Sequence, residues 1–156
     1  MTEKPTDNAI WIDSATREDL PAMAGLLAEL FTLERDFRPD RSRQLAGLAT
    51  ILDNPALGRL FVVRLDGEIA GMANALITVS TAEGGKALLL EDVIVRDRRR
   101  GLGIGRRLVE HVLEWAAKEG MTRVTLLADQ DNAAALGFYD RLGFRPSAMR
   151  VLRRPL

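Results

Sequence analysis

Apolar residues recur along the chain with two different periods, and the changes of period divide the chain into elements. Alternating or continuous apolar runs predict strands at residues 10–13, 59–65, 68–79 and 86–96. Apolar residues at helical spacing predict a first helix over residues 20–31, with Thr16 as its candidate N-cap. A second helix is predicted at residues 41–52, before Pro55, and Asp66-Gly67 predicts a tight hairpin.

The second half of the chain alternates between the two patterns. It predicts a helix over Ile104–Lys118, a strand at 123–128, a helix at 133–142 and one or two strands within 144–152. The order β-α-α-β-β-β-α-β-α-β, without a repeat or linker, predicts one α/β domain over residues 9–156 with a mixed central sheet and helices on both faces. The polar residues 1–8 predict a disordered lead-in.

Composition narrows the chemistry without identifying it. The sequence has no cysteine and one histidine, which excludes disulfides and zinc–thiolate sites, and we expect no metal site. Its 22 basic and 22 acidic residues cancel, which argues against nucleic acid as a partner. No apolar run is long enough for a membrane span and the first residues lack an export signal, so we expect no membrane partner and a cytoplasmic location.

Three alternating glycines stand between a predicted strand and a predicted helix, in the stretch VIVRDRRRGLGIGRRL (93–108). Gly101, Gly103 and Gly105 lack the Cβ atoms that would keep an anion away from the backbone. The N–H groups of such a turn and of the following helix point together toward an anion. Arginines at positions 98, 99, 100, 106 and 107 add positive charge. The stretch predicts a phosphate or pyrophosphate site, whereas an ordinary tight turn needs only one glycine.

Two common phosphate loops do not fit this stretch. The Walker pattern needs Gly-Lys-Ser/Thr, but Gly105 is followed by Arg106 and Arg107. The dinucleotide fingerprint Gly-x-Gly-x-x-Gly fails from Gly101, because residue 106 is arginine, and from Gly103, because residue 108 is leucine.

The loop instead resembles the signature Gln/Arg-x-x-Gly-x-Gly/Ala of the GCN5-related N-acetyltransferase family, present here as Arg100-Gly101-Leu102-Gly103-Ile104-Gly105. A later segment, NAAALGFYDRLGF (132–144), is similar to a second motif of that family. The order of predicted elements is also similar, over about residues 9–153. Two motifs in the expected element order make the resemblance specific.

The resemblance implies acetyl-CoA as the donor, bound where the fourth and fifth strands splay apart, with direct transfer of the acetyl group to an amine. The loop amides would hold the pyrophosphate, the preceding strand would pair with the pantetheine arm, and Asn132 would contact that arm. The implied cofactor-binding residues are Val93, Ile94, Val95, Arg100, Gly101, Leu102, Gly103, Ile104, Gly105, Arg106 and Asn132.

Tyr139 is the only tyrosine of the chain and lies inside the second motif. The resemblance implies a catalytic role near the CoA sulfur, where a phenol can donate a proton to the departing thiolate. The alternative interpretation is an amphipathic tyrosine that packs in the core.

Glu91 and Asp92 interrupt the apolar strand LLLEDVIV, where carboxylates are costly unless hydrated or paired. Strand alternation predicts that they face opposite sides of the sheet. The Leu-Glu-Asp-x-x-Val pattern resembles the polyamine-acetyltransferase branch of the family, which implies Glu91 as the general base. Asp92, and Glu34 from the segment between the first two helices, are expected to bind a cationic acceptor. Alternatively, these carboxylates are a strand rim and a solvated helix end.

Two rival functions stay open from the sequence. A non-catalytic acyl-CoA-binding or regulatory module would keep the glycine loop without needing Tyr139. A transferase of the same fold could use another acyl-CoA, or a protein amine as acceptor. The expected acceptor is a small-molecule amine, and a homodimer is left open.

Overall fold

The computed structural model describes residues 9–34 and 36–156, so the lead-in predicted for residues 1–8 lies outside the described residues. The strands are β1 (Trp11–Ser14), β2 (Gly58–Leu65), β3 (Glu68–Ser80), β4 (Gly85–Val95) and β5 (Val124–Leu126). The helices are α1 (Leu20–Leu33), α2 (Arg41–Asp53), α3 (Ile104–Lys118) and α4 (Ala133–Arg141). Short 3₁₀ turns at Arg17–Asp19 and Asp97–Arg99 precede α1 and the glycine loop.

The strands form one mixed sheet in the order β1-β2-β3-β4-β5. The first four strands are antiparallel neighbours, and β5 lies parallel to β4. The hairpin between β2 and β3 turns at Asp66 and Gly67, whose φ angles of 51° and 73° have the positive sign that a two-residue hairpin turn requires. The predicted α/β fold with a mixed central sheet is confirmed.

Two apolar layers hold the helices against opposite faces of the sheet. On one face, Met23 of α1 and Leu48 of α2 pack in a cluster with Met72 of β3. On the other face, Leu108 of α3 packs in a cluster with Phe61 of β2. Each of these five side chains is at most 2% exposed. The prediction of helices on both faces is therefore confirmed.

The end of the chain differs from the prediction, which put one or two strands within residues 144–152. No strand occurs between residues 144 and 156, all of which the structure describes. Met149, Val151 and Leu152, which suggested strand, are 89%, 52% and 91% exposed. Strand propensity forms a strand only where a neighbour pairs with it, and β5 extends for only three residues. That prediction was wrong, and we call residues 145–156 the C-terminal segment.

A nearly buried ion pair joins the start of α1 to β2. Asp19 is 7% exposed, and each of its carboxylate oxygens accepts a 2.8 Å hydrogen bond from the Arg64 guanidinium. The backbone N–H of Thr16 donates a further bond to Asp19 at 2.7 Å. The hydrogen bonds from Arg64 lower the pKa of Asp19 below its ordinary value. This pair fixes how α1 enters the fold.

Asp19→Asn should lower the free energy of unfolding by about 2 kcal/mol, because it removes the charge that pairs with Arg64 at a buried site. Since the folded-state pKa is lowered, this contribution is complete above the ordinary value of 3.8 and is lost as pH falls through the folded value. Urea unfolding at pH 7 measures it. The control is Asp13→Asn, at an exposed position of β1, and equal losses in the two variants would contradict the prediction.

Candidate functional site

The β4 strand loses one neighbour halfway along its length, and this opens a cleft. β5 pairs with β4 only at Leu88, Leu89 and Leu90, while β3 continues to pair with β4 as far as Val95. The outer edge of β4 beyond Leu90 faces a cleft of about 1660 Å³. Ordinary small-ligand sites measure roughly 300–1,000 Å³, so this cleft has room for more than one small ligand. The predicted splay between the fourth and fifth strands is confirmed.

A β-bulge at Glu91 lies where the two strands part. The register places Asn74 of β3 opposite Asp92 and then skips Glu91. The bulge reverses the alternation of side chains, because Leu90 packs in the cluster of α3 whereas Ile94 packs in the cluster of α1. Glu91 and Asp92 both line the cleft. Because the bulge lies at Glu91, the regular alternation on which the prediction of opposite faces rests does not apply to these two carboxylates.

The open edge of β4 presents backbone polar groups at alternate residues. The Arg96 N–H donates to the Ala70 carbonyl of β3 at 2.8 Å. Alternation along an antiparallel ladder therefore turns the N–H and C=O groups of Val95 and Val93 outward, and those of Ile94 toward β3. The Ile94 side chain is 6% exposed and fills the core. Of the three residues expected to pair with a pantetheine arm, two offer backbone groups to the cleft.

The glycines of the loop differ in how strictly the backbone requires glycine at their positions. Gly101 and Gly103 have φ angles of 81° and 74°, in the left-handed region that side chains disfavour. Gly103 directly precedes α3, so the first N–H groups of that helix lie at the cleft. A Cβ on Gly105 would lie 3.4 Å from Cζ of Phe138 in α4. A Cβ at position 105 would therefore make an ordinary van der Waals contact with α4, and neither packing nor φ requires glycine there.

Carboxylates neutralise most of the arginines around the loop. Arg100 also donates from Nε to the Val95 carbonyl oxygen at 3.2 Å, so it covers one outward backbone group. The predicted positive charge is therefore weaker than the sequence suggests, and the α3 N-terminus accounts for more of the attraction for an anion. The ion pairs, all within 3.2 Å, are Arg98–Glu68, Arg99–Asp66, Arg99–Glu68, Arg100–Asp97 and Arg106–Glu110.

Seven residues of the second motif line the cleft, and two of them, Asn132 and Tyr139, carry polar groups that the resemblance assigns to the site. Asn132 is the N-cap of the helix, and its Oδ1 accepts a 3.1 Å hydrogen bond from the Ala135 N–H. The ring of Tyr139 packs edge-on against Phe138 and Phe144, with centroids 5.1 Å and 5.7 Å apart. Burial raises the pKa of Tyr139 to about 12. The phenol therefore keeps its proton at neutral pH and is available as a donor.

Five carboxylates line the same cleft, and one of them, Asp36, is paired with an arginine of the C-terminal segment. Glu34 ends α1, Glu91 and Asp92 lie at the bulge, and Asp129 follows β5. Burial, followed by repulsion from Asp92, Asp129 and Glu91, raises the pKa of Glu34 to about 7. Burial raises the pKa of Asp92 to about 6, although a hydrogen bond from Asn74 acts in the opposite direction. This group of carboxylates can attract a cation and can exchange a proton near neutrality.

The C-terminal segment contributes a wall to the cleft and a positive charge near these carboxylates. Arg153 forms an ion pair with Asp36, and its guanidinium carbon lies 5.1 Å from the ring centroid of Phe37. Arg153 also lowers the pKa of Glu34, against the larger effects that raise it. Both partners of the ion pair are about half exposed, so the contact contributes little to stability.

The cleft brings together all of the predicted site residues except Leu102, which is 59% exposed on the loop. Sequence reasoning missed Asn74, Asp129 and Arg153. Asn74 interrupts the apolar run GMANALI of β3, and a polar residue inside a buried strand was a usable signal. Asp129 and Arg153 gave no signal, because their approach to the cleft depends on the paths of irregular segments.

Two searches of the described residues bear on the site's chemistry. In the ranges 9–34 and 36–156, no cluster of three or more histidine, cysteine, aspartate or glutamate side chains is arranged to hold a metal ion. None of α1 to α4 combines the length and the apolar character needed to cross a bilayer.

Known proteins resemble the chain over most of its length. The model of the acetyltransferase (GNAT) family matches residues 21–144. The streptothricin acetyltransferase of Streptomyces lavendulae is 38% identical over 87 residues, which are 55% of this chain and 44% of that protein. The glucosamine 6-phosphate N-acetyltransferase of Trypanosoma brucei brucei is 32% identical over 104 residues, which are 66% of this chain and 63% of that protein.

A solved structure matches almost the whole fold. The aminoglycoside N-acetyltransferase AAC(6')-Iy, in complex with CoA, has a TM-score of 0.81 and 20% identity over 98% of this chain and 99% of that one. That likeness shows the fold. The chain spans 44% and 63% of the lengths of the two curated relatives named above. Since the family model covers well over half of the chain, the chain belongs to the acetyltransferase (GNAT) family.

Proposed function

We propose that the chain transfers the acetyl group of acetyl-CoA to a cationic small-molecule amine, by direct attack of the amine on the thioester in a ternary complex. The observation that carries this proposal is the cleft, because it joins an open strand edge, a helix N-terminus and a group of carboxylates. Its volume suits two substrates at once. The sequence has no cysteine, so no acetyl-cysteine intermediate is available.

The donor end of the cleft suits acetyl-CoA by its chemistry. The pyrophosphate would accept hydrogen bonds from the N–H groups of the glycine loop and of the first turn of α3. The pantetheine amides would pair with the outward backbone groups of Val93 and Val95, in the manner of an added strand. Arg100 would then release the Val95 carbonyl oxygen. Asn132 keeps its Nδ2 for the arm, because its Oδ1 caps α4.

The transfer removes two protons from an ammonium acceptor, one before the attack and one as the amide forms, and it delivers one proton to the departing sulfur. A carboxylate of the bulge, Glu91 in the sequence prediction, takes a proton from the bound ammonium group. The freed nitrogen attacks the thioester carbonyl, the C–N bond forms and the C–S bond breaks, and the nitrogen releases its second proton to water, which can return it to the phenol. Tyr139 then donates its proton or a hydrogen bond to the thiolate. Because burial raises its pKa to about 12, the phenol is protonated at neutral pH and is better suited to a hydrogen bond with the thiolate than to full proton transfer.

The carboxylates of the cleft favour a cationic acceptor. Glu34, Glu91, Asp92 and Asp129 all line it, and Arg153 offsets only part of their charge. Carboxylates in a partly desolvated cleft attract cations and repel anions. Relatives named for the acetylation of streptothricin and of glucosamine 6-phosphate support a small molecule as the acceptor.

Free-thiol release from acetyl-CoA tests the function and the acceptor class together. At matched concentrations we expect release to be faster with spermidine than with lysine, and slowest with glutamate. The rate with spermidine should fall as salt is raised, because salt screens the carboxylates. The proposed function is contradicted if the protein binds CoA but none of the three amines causes it to release free thiol. A preference for glutamate contradicts only the acceptor class.

Gly103→Asn should weaken CoA binding by about tenfold or more, because its side chain stands where the pyrophosphate approaches the loop. Asparagine tolerates a left-handed backbone, so the fold should survive. Gly120→Asn is a matched control, since Gly120 has a φ of 73° against 74° at Gly103 and open space around its Cβ position. Calorimetric titration with CoA measures both affinities. Equal affinities in the two variants count against the loop as the phosphate site.

Tyr139→Phe should lower kcat on the order of 10²-fold while the KM for acetyl-CoA changes little, because the ring packing is kept and only the proton donor is lost. The melting temperature of the variant shows whether the contacts with Phe138 and Phe144 persist. If kcat is the same in both proteins, Tyr139 has only a packing role.

A further inference from the structure

A polar pair sits inside the apolar sheet beneath the cleft. Asn74 of β3 is 4% exposed, and its neighbours Ala73 and Ala75 are fully buried. Its amide Nδ2 donates a 2.8 Å hydrogen bond to Oδ2 of Asp92. Its Oδ1 is buried and, within the described part of the chain, has no hydrogen-bond partner. Buried polar atoms are nearly always paired, so an orphaned acceptor at this position points to a role beyond packing.

The bulge decides which of the two adjacent carboxylates meets Asn74. The register pairs Asn74 with Asp92 across the strands and leaves Glu91 unpaired as the extra residue. Asp92 is therefore anchored through one oxygen and partly buried, while Glu91 is exposed at the rim of the cleft. Only Asp92 combines a fixed side-chain position with a free oxygen at the cleft wall.

The groups that face Asp92 come from each element around it. Glu91 is its neighbour on β4, Glu34 at the end of α1 interacts with it, and Asp129 after β5 acts on Glu34. Arg153 of the C-terminal segment is the nearby cation, and it acts on Glu34. Burial and the charge of Glu91 raise the pKa of Asp92 to about 6, and the hydrogen bond from Asn74 opposes them. An acid in this range can take up and release a proton near neutral pH.

We propose that Asp92, and not Glu91, accepts the proton of the acceptor ammonium, and that Asn74 is the residue that positions Asp92 for this step. The proposal rests on the proposed function. An N–H bond of the ammonium group breaks, an O–H bond forms on the free oxygen of Asp92, and the nitrogen keeps the electron pair with which it attacks the thioester. The proton then passes to water at the open side of the cleft.

Asn74 suits both protonation states of Asp92. With Asp92 ionised, Nδ2 donates to the carboxylate, as the structure shows. With Asp92 protonated on its free oxygen, a rotation of the carboxyl group carries the new O–H toward Asn74, and a half-turn of the amide lets the unpartnered Oδ1 accept it. A hydrophobic residue could hold neither state, and a charged residue would favour only one. This role explains why the sheet contains a buried asparagine whose Oδ1 has no hydrogen-bond partner among the described residues while Asp92 is ionised.

Three variants separate the two carboxylates by the pH dependence of kcat/KM with spermidine as the acceptor. Asp92→Asn should lower the rate at pH 7 on the order of 10²-fold, with partial recovery as rising pH supplies free amine. Asn74→Leu should move the acidic limb to higher pH by about one unit, because the bond that favours the ionised form is lost. Glu91→Gln should move the limb to lower pH, because it removes a repelling charge, and it should raise KM for the cation.

The profiles also say which result overturns the proposal. If Glu91 were the base, the pH profile of Glu91→Gln would lose its acidic limb, and the profile of Asp92→Asn would run parallel to that of the unmodified protein. If the acidic limb of kcat/KM lies at the same pH in Asn74→Leu and in the unmodified protein, Asn74 does not position Asp92 for the proton transfer. Asn74→Ala is the second variant if the leucine variant does not fold, as judged by circular dichroism.

A titration without substrate keeps the proposal separate from the proposed function. The carboxyl ¹³C resonance of Asp92, followed by NMR in the substrate-free protein, should titrate about one unit higher in Asn74→Leu and lower in Glu91→Gln. If no amine supports thiol release, the proposed function fails, but this measurement still shows whether Asn74 and Glu91 change the pKa of Asp92. An Asp92 midpoint unaffected by Asn74→Leu overturns the inference, whatever the activity.

Discussion

The one-residue bulge at Glu91 is the constraint on which the site depends. In a regular strand, residues 90 and 92 share a face, so Asp92 would lie in the apolar layer beneath α3 together with Leu90. The extra residue turns Asp92 toward α1, where Glu34 and Asn74 meet it. It also stands where pairing with β5 ends. One shift of register thus creates the open strand edge for a donor and the carboxylate wall for an acceptor.

The polar pair beneath the cleft lowers the stability of the fold, and the apolar layers of the sheet compensate for this loss. An unpaired buried polar atom such as Asn74 Oδ1 costs about 1–3 kcal/mol. Full burial of one large apolar side chain contributes about 1.5–3 kcal/mol, and Phe61, Met23 and Met72 are each at most 1% exposed. One such side chain offsets the orphaned atom. The sheet can therefore hold a polar pair beside its core as long as the apolar layers on both faces stay intact.

The features that sequence predicted well are those whose causes are local. Asp66-Gly67 turns a hairpin because both residues accept positive φ, and the apolar spacing of α3 defines that helix from end to end. The bulge could not be predicted, because it depends on how β3 and β4 align over many residues. The prediction of strands in the C-terminal segment was wrong for the same reason. Its residues have the composition of strands, but strand formation needs a partner, and no neighbouring strand reaches them.

The proposed donor and acceptor halves of the cleft also differ in how far their structure can be predicted from local sequence. The donor half is built largely from backbone groups, so the residues that shape it are the glycines that permit the conformation, and they appear as a compact motif. The acceptor half is built from side chains of α1, β4, the loop after β5 and the C-terminal segment, and each is ordinary in its own stretch of sequence. Under the proposed function, substitutions in the acceptor half would change the amine without altering the backbone groups that hold acetyl-CoA, and the acceptor is decided by tertiary contacts such as that between Asn74 and Asp92.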